Sequence, residues 1–292
     1  MHSPLLITGA SGRIGSLVAR RLTCEGAPVR LATRRPPGLE GAEHTALDLT
    51  DPATWDDAFR DVRTMFLIRP PHVSNIARDL LPSLTRAREL GVRHVVFLSL
   101  QGAESATVVP HAKVETWLRG SGLDWTFVRP SFFMENLSTT HARDIRDDDI
   151  IMVPAGRGRT SFVSAQDVAD IAAAALLEPG AHTGRAWTPT GSEALTYGEV
   201  ADILTETLGR PITYARPGAI RYALHARRTL AMDWEMVGVT TAIYSVARLG
   251  KADGITDDVQ RVLGRAPQRF DTWAREHAAV WHAPGSGLSD QA

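Results

Sequence analysis

The apolar run Leu5-Leu6-Ile7 ends at Thr8 and breaks into TGASGRIG, with Gly9, Gly12 and Gly15 three residues apart. A strand that stops on glycine, followed by a helix that starts on it, leaves a chain few folds to choose from. Glycine accepts positive φ and lets another group approach the backbone with no Cβ in the way. Ile14, Leu17, Val18 and Leu22 recur at helical spacing and predict a helix over 13–25. Its first turn presents unpaired N–H groups and the positive end of the helix dipole. The spacing G-x-x-G-x-x-G is one residue wider in its first gap than the dehydrogenase fingerprint, but the physics of pyrophosphate binding is the same. Thr8, Gly9, Ala10, Ser11 and Gly12, then Arg13, Ile14 and Gly15, therefore read as a nucleotide-binding turn. The bland alternative is a glycine turn that only packs helix on strand.

The first half of the chain alternates. Strand-like runs fall at 4–8, 29–34, 43–49, 64–69, 94–100 and 125–129, with helical patterns at 13–25, 52–61, 72–91 and 110–121 between them. Such alternation implies parallel pairing and a sheet covered on both faces. After residue 130 the rhythm changes. Short strand-like pieces at 149–154, 159–164, 185–189 and 212–215 are separated by helices ending at Pro179-Gly180 and Gly209, and by a long helical region at 219–249 with a break expected at Gly238. The expected fold is α/β: a Rossmann-type doubly wound parallel sheet over 1–130, completed by segments within 131–190. A small C-terminal α+β lobe takes most of 131–292, with a disordered tail from about 283.

A net charge of −1 gives no reason to expect nucleic acid or an anionic membrane as partner. No apolar run approaches the roughly 20 residues that span a bilayer, and no signal-peptide pattern opens the chain. The single cysteine, Cys24, excludes an internal disulfide and makes a cytoplasmic location the expectation. Cys24 falls on the apolar side of the first helix pattern and reads as a packed thiol. The ten histidines are scattered, with no metal-ligand cluster. The expected partner is a small molecule, and the expected state a monomer or homodimer.

The second strand bears on which dinucleotide is held. A site for NAD places Asp or Glu at its end to bind the ribose 2′-hydroxyl. Here VRLATRRP ends in Thr33, Arg34 and Arg35, with no acid before Glu40. A guanidinium there pairs with a 2′-phosphate, so NADP(H) is the expected cofactor. Asp48, with Leu49 beside it, is placed to meet the adenine amino group, or else to cap the helix at 52–61. In FLIRPP the fourth strand ends, putting Leu67 and Ile68 against the cofactor. Arg69 then reaches the pyrophosphate or an acidic substrate group, or is a surface arginine before a Pro-Pro turn.

The stretches TGASGRIG, TRR, HAKVETWLRGSGLDWTFVRPSFFMENL at 111–137 and VSAQDVADIAAAALLEP at 163–179 together resemble the short-chain dehydrogenase/reductase superfamily. Within it the chain is similar to the atypical NmrA-like group, which includes quinone and triphenylmethane reductases and the NmrA regulators. The similarity runs over roughly 4–280. It implies a Rossmann-type core, NADP(H), and a substrate cleft between core and lobe.

The superfamily's usual catalyst is Tyr-x-x-x-Lys, and this chain lacks it. Its tyrosines are Tyr197, Tyr214, Tyr222 and Tyr244, with Ala201, Gly218, Ala226 and Arg248 four positions on. Counting back from Lys113, the tyrosine position holds Val109. Lys113, one of only two lysines, matches the ribose-binding lysine. His111 is then the best local proton donor and Ser99 the next; the competing readings are a solvent-facing histidine and a satisfied hydroxyl under the cofactor. In VRPSFFMENL, Pro130 and Ser131 belong beside the nicotinamide, and Phe132, Phe133, Met134 and Asn136 near the substrate. That aromatic, sulfur-rich wall suits a flat hydrophobic molecule. The reading is an NADPH-dependent reductase of a quinone-like or conjugated aromatic acceptor, for which an aromatic polyketide would fit. The alternative is a non-catalytic NADP(H)-binding sensor of the NmrA type. For that alternative 219–249, with Arg227, Arg228, Trp234 and Met236, is a partner surface; it also reads as a pocket wall or, on its helical Trp and Met spacing, as core.

Cofactor choice is testable at Arg34. Arg34→Ala is expected to weaken NADPH binding by about 1.5–3 kcal/mol, the range for a hydrogen bond to a charged group, and to leave NADH binding nearly unmoved. Equal loss for both cofactors in a fluorescence titration would show that Arg34 does not read the 2′-phosphate.

Overall fold

A computed structural model describes residues 3–33, 42–107 and 109–282. The tail expected to be disordered lies outside them. The apolar run that opens the chain forms strand β1 (Leu5–Thr8), and the glycine turn leads into helix α1 (Arg13–Cys24). The alternation continues through β2 (Val29–Ala32), β3 (Glu43–Thr45), α2 (Trp55–Phe59), β4 (Thr64–Ile68), α3 (Ile76–Asp79), α4 (Leu81–Glu89), β5 (His94–Leu98), α5 (Pro110–Gly120) and β6 (Asp124–Val128). A further strand, Arg185–Trp187, completes a seven-stranded sheet in the order β3-β2-β1-β4-β5-β6 and then this last strand. Each neighbouring pair is parallel. The chain starts in the middle, runs to one edge, returns beside β1 and runs to the other. Connections therefore leave β1 and β4 in opposite directions, and a crevice opens at the carboxyl ends of those two strands.

Two compact units divide the chain. The first holds the residues up to Pro130 with Ala165–Pro189 and Asp257–Ala266; the second holds Ser131–Ser164, Thr190–Thr256 and the residues from Pro267. In the first, Leu6, Phe59, Leu67, Phe97 and Phe127 belong to one apolar cluster. Helix α1 packs on the helix Ala165–Leu177. In the second, a core rich in aromatic rings gathers Tyr197, Tyr214, Tyr222, Tyr244, Phe270, Trp273 and Trp281. All four tyrosines of the chain are thus core residues of this unit. Tyr244 shares a 2.6 Å hydrogen bond with His141 Nε2. The fully buried Asp144 accepts from His225 at 2.9 Å. Burial works to raise the Asp144 pKa, but the hydrogen bonds from His141 and His225 outweigh it and leave the carboxyl below its ordinary range.

Three expectations change. Cys24 is exposed. The buried stripe of α1 is Ile14, Gly15, Val18, Ala19 and Leu22, and two residues beyond Leu22 the helix has turned about 200° away from it. The region 219–249 is two helices, Ala219–Arg228 and Trp234–Arg248, and Gly238 lies inside the second. The break comes at 229–233, where Ala231 takes positive φ and the Asp233 carboxylate accepts from Met236 N at 2.7 Å to start a new helix. Trp234 and Met236 are not core: they are 62% and 40% exposed.

One buried histidine makes stability pH-dependent. His94, on β5, is 3% exposed. The single proton of the Thr126 hydroxyl goes to the His182 carbonyl at 2.7 Å, so His94 Nε2–H donates to that hydroxyl at 2.9 Å. Its Nδ1 is buried without a partner among the described residues. A second proton there would have no acceptor, and burial pushes the pKa down to about 4. The unfolded chain protonates near 6.5, so between about 6.5 and 4 the unfolded state binds more protons and stability falls with falling pH. The full difference is on the order of 3 kcal/mol. In urea denaturation at pH 7 and 4.5, His94→Gln is expected to lose less stability between the two than the parent; an unchanged loss would assign the acid sensitivity elsewhere.

Candidate active site

The crevice at the carboxyl ends of β1, β2, β4 and β5 encloses about 440 Å³. Its walls are the glycine turn, Ala32-Thr33, Leu47 to Leu49, Ile68, the loop Pro70 to His72, and Leu98. Gly9 takes φ +62, a conformation that strains any other residue. Gly12 N–H donates to Gly9 O at 2.9 Å, which closes the turn. Gly12 is also the N-cap of α1. No side chain caps that end, and its first turn holds no acid. The N–H groups and dipole of a 12-residue helix thus face the crevice with no anion among the described residues to satisfy them. This arrangement fits a dinucleotide pyrophosphate.

The three glycines have separate roles. A Cβ on Gly12 would meet only Gly9 O, at 3.2 Å. A Cβ on Gly15 would lie 2.3 Å from that same oxygen and 2.7 Å from its carbon. Gly15 therefore sets how closely α1 approaches the turn, and it is a packing residue, as are the buried Ala10 and Leu67. Thr8 spans the point where the strands diverge: its hydroxyl donates to Phe66 O at 3.0 Å and accepts from Ile68 N at 2.8 Å.

Asp48 and Leu49 line the crevice as expected. The Asp48 carboxylate accepts from Thr50 N at 2.9 Å and from the Thr50 hydroxyl at 2.7 Å. The helix at 52–54 is capped instead by Asp51. Arg34 and Arg35 lie outside the described residues. Sequence reasoning missed Ala32, Leu47, Pro70, Pro71, His72 and Leu98 as wall residues. For Leu98 the signal was present, because it ends the strand beside β4. Arg69 does not line the crevice. Its Nη1 folds back on its own loop and donates to the carbonyls of Pro70, Pro71 and Val73 at 2.9, 3.1 and 2.8 Å.

Around α5 the expected proton donors behave differently. The buried Ser99 hydroxyl donates to Glu115 at 2.6 Å. Glu115 in turn receives both arms of Arg129, at 2.9 and 2.6 Å. Burial works to raise the Glu115 pKa, but Arg129 and Ser99 outweigh it and keep the carboxylate charged. Ser99 therefore braces β5 against this pair and has no proton to give. His111 is half-buried and stacks on Phe97 at 5.9 Å between centroids. Burial first, and then the charge of Arg69, push its pKa down to about 4. At neutral pH it offers a neutral N–H and not an imidazolium. Lys113, in the first turn of α5, is exposed and makes no ion pair or hydrogen bond among the described residues. Val109, at the position of the superfamily tyrosine, is the N-cap of that helix.

The stretch after β6 is held by backbone pairing. Pro130 O accepts from Gln101 N at 3.0 Å. The Ser131 hydroxyl donates to the Ser161 carbonyl. Phe133 bridges Val163. Phe132 packs on the aromatic core beside Tyr244, and Asn136 O accepts from His141 N at 3.0 Å. Met134 is 1% exposed and belongs to that core; it is no part of an open wall.

These geometries separate two glycine variants. Gly12→Val places a branched side chain at the mouth of the uncapped helix and is expected to abolish NADPH binding in titration, with native circular dichroism. Gly15→Ala drives a methyl into backbone and is expected to lower the stability itself, by about 1–3 kcal/mol. Wild-type affinity in Gly12→Val would give the turn another purpose.

The model of the NmrA-like family matches residues 1–236. The chain is 32% identical to the NAD(P)H azoreductase of Xenophilus azovorans over 96% of its own length and 99% of that protein's. It is 34% identical to the (4-alkanoyl-5-oxo-2,5-dihydrofuran-3-yl)methyl phosphate reductase of Streptomyces griseus, covering 95% of this chain and 99% of the relative. Among solved structures, the NADPH-dependent quinone oxidoreductase of Escherichia coli superposes with a TM-score of 0.83 at 21% identity, over 94% of this chain and 99% of that one, and so shares its fold. The match to the family model over most of the chain, together with the full-length relatives, places this protein in the NmrA-like family.

Proposed function

We propose that this chain is an NADPH-dependent reductase of quinone-like or other conjugated aromatic acceptors. The observation that carries the reading is the long helix whose uncapped, acid-free N-terminus faces the crevice at the switch point of a parallel sheet. Full-length relatives at 32% and 34% identity are named as an NAD(P)H azoreductase and a reductase of an unsaturated lactone phosphate, which supports reduction of conjugated acceptors.

The residues present fit the dinucleotide. The first turn of α1 would take the pyrophosphate, Asp48 and Leu49 the adenine, Arg34 the 2′-phosphate and Lys113 the nicotinamide ribose. When bound, the cofactor supplies a hydride. The chain's own contribution is to orient the reactants and to donate hydrogen bonds without a strong acid. Val109 offers no proton, the Ser99 hydroxyl is committed to Glu115, and His111 is neutral above about pH 4. Acceptors whose reduced form needs little help with protons suit such a site. A quinone leaves a delocalised phenolate, and a cationic dye leaves no anion. Phe132 and Phe133 would bear on a flat ring, and an aromatic polyketide is one molecule of that shape.

NADPH consumption against quinones and cationic dyes, with NADH alongside, tests the reading. Lys113→Met is expected to raise the KM for NADPH more than it lowers kcat. His111→Ala is expected to slow quinone reduction more than dye reduction, by roughly ten- to a hundred-fold for one hydrogen bond to a developing charge. That difference should stay flat above about pH 5, because the imidazole is already neutral there. If neither acceptor class is reduced while NADP(H) binds at micromolar affinity, the reductase reading falls and the sensor reading takes its place.

A further inference from the structure

Arg69 is a half-buried cation with no counter-ion among the described residues. It forms no ion pair among the described residues, whereas the other buried guanidinium of this region, Arg129, holds both Glu115 and Glu104. Its three nitrogens differ. Nη1 is spent on three carbonyls of its own loop. Nε is buried with no partner. Nη2 donates to nothing among the described residues and is not sealed from solvent. The loop carbonyls therefore fix the guanidinium in place and leave one N–H edge for something else.

The surroundings indicate what that is. Pro70 and Pro71, the next two residues along the chain, and Ile68 before them line the crevice. The charge of Arg69 is felt by His111 on the first turn of α5. The nearby acid, Glu115, is already taken by Arg129, Arg119 and Ser99. The pyrophosphate has its own provision at the start of α1, and Arg69 is not a wall of that crevice. An unpaired, pre-positioned guanidinium beside the helix that carries His111 and Lys113 is built to meet an anion. The three carbonyls return part of the solvation that a half-buried guanidinium loses, and an anion on the remaining N–H edge would return more.

Resting on the reductase reading above, we propose that Arg69 binds, through Nη2, an anionic substituent of the acceptor: a sulfonate, carboxylate or phosphate. The preferred substrates of this chain are then conjugated acceptors that carry an acid group, and the three carbonyl bonds of Nη1 are the positioning device.

The test is binding, so that it does not depend on turnover. The NADP+-loaded protein is titrated calorimetrically with anthraquinone-2-sulfonate, anthraquinone-2-carboxylate and a neutral hydroxymethyl-anthraquinone. The parent is expected to bind both anions at least five-fold more tightly than the neutral quinone, with a preference that shrinks as salt is raised. Arg69→Gln is expected to weaken both anions by roughly ten- to a hundred-fold, the range of a hydrogen bond between charged groups, and to weaken the neutral quinone far less. Equal weakening of all three would mean that Arg69 only staples its loop, and would overturn the proposal. A loss of NADP+ affinity in its place would make the anion a cofactor phosphate, with the same consequence. Should Arg69→Gln not fold, the parent alone decides, because absence of any anion preference overturns the proposal. If the parent binds the anions preferentially but oxidises no NADPH with any quinone, the anion site stands and the reductase reading fails. If neutral quinones are reduced with no anion preference, the reverse holds.

Discussion

The contact between Gly15 and the carbonyl of Gly9 sets the rest of the site. With a methyl at 15 that oxygen would be 2.3 Å away, inside any allowed separation, so α1 reaches its position only because position 15 has no side chain. That position brings the helix N-terminus to the strand ends at the moment the sheet changes direction. The Thr8 hydroxyl holds the divergence open by serving Phe66 O and Ile68 N at once. One missing Cβ thus sets how closely the helix N-terminus can approach the strand ends.

Much of this was legible in the chain. The glycine spacing identified the turn because glycine's freedom is a local property, independent of what packs around it. The alternation of apolar runs with helical patterns fixed a parallel sheet for the same reason. What was not legible depends on side chains reaching across sequence. For Ser99 the sequence left two readings open, a donor and a satisfied hydroxyl, and only the fold brings in Glu115, sixteen positions on, to take its proton. Arg69 looked like a free arginine before two prolines, and nothing in FLIRPP says that its Nη1 folds back onto the loop. Cys24 was misplaced by extending the apolar face of the helix two residues beyond Leu22. Met134, expected near the substrate, is sealed in core, and Trp234, read as partner surface, pocket wall or core, is open to solvent, because amphipathic spacing says which residues share a face and not what covers it.

The buried Arg129–Glu115 pair fixes the end of β6 against α5. A bidentate pair at this depth contributes little net stability, since both ions lose their water, but it leaves one geometry available. It ties α5 to the end of β6, while the bonds Ser99 N to Val128 O and Gln101 N to Pro130 O tie the end of β5 to the same strand. His111 and Lys113 are carried on the helix so anchored. The order around α5 therefore rests on a buried charge pair and on a serine hydroxyl committed to it.

The packing of α1 on the helix Ala165–Leu177 has a consequence for how the molecule comes to exist. The glycine turn is made before the surface that buries its helix, which follows some 150 residues later. The outermost strand of the sheet, Arg185–Trp187, comes later still. Contacts of such long sequence separation carry a large loop-closure entropy before they return any burial, and they slow folding. During synthesis the apolar stripe of α1 and the open edge of β6 wait uncovered, which is when strand edges pair wrongly with other chains. Neither compact unit is continuous in sequence, so neither can be cut out as a simple fragment. The nucleotide-binding unit is complete only once Asp257–Ala266 has joined it.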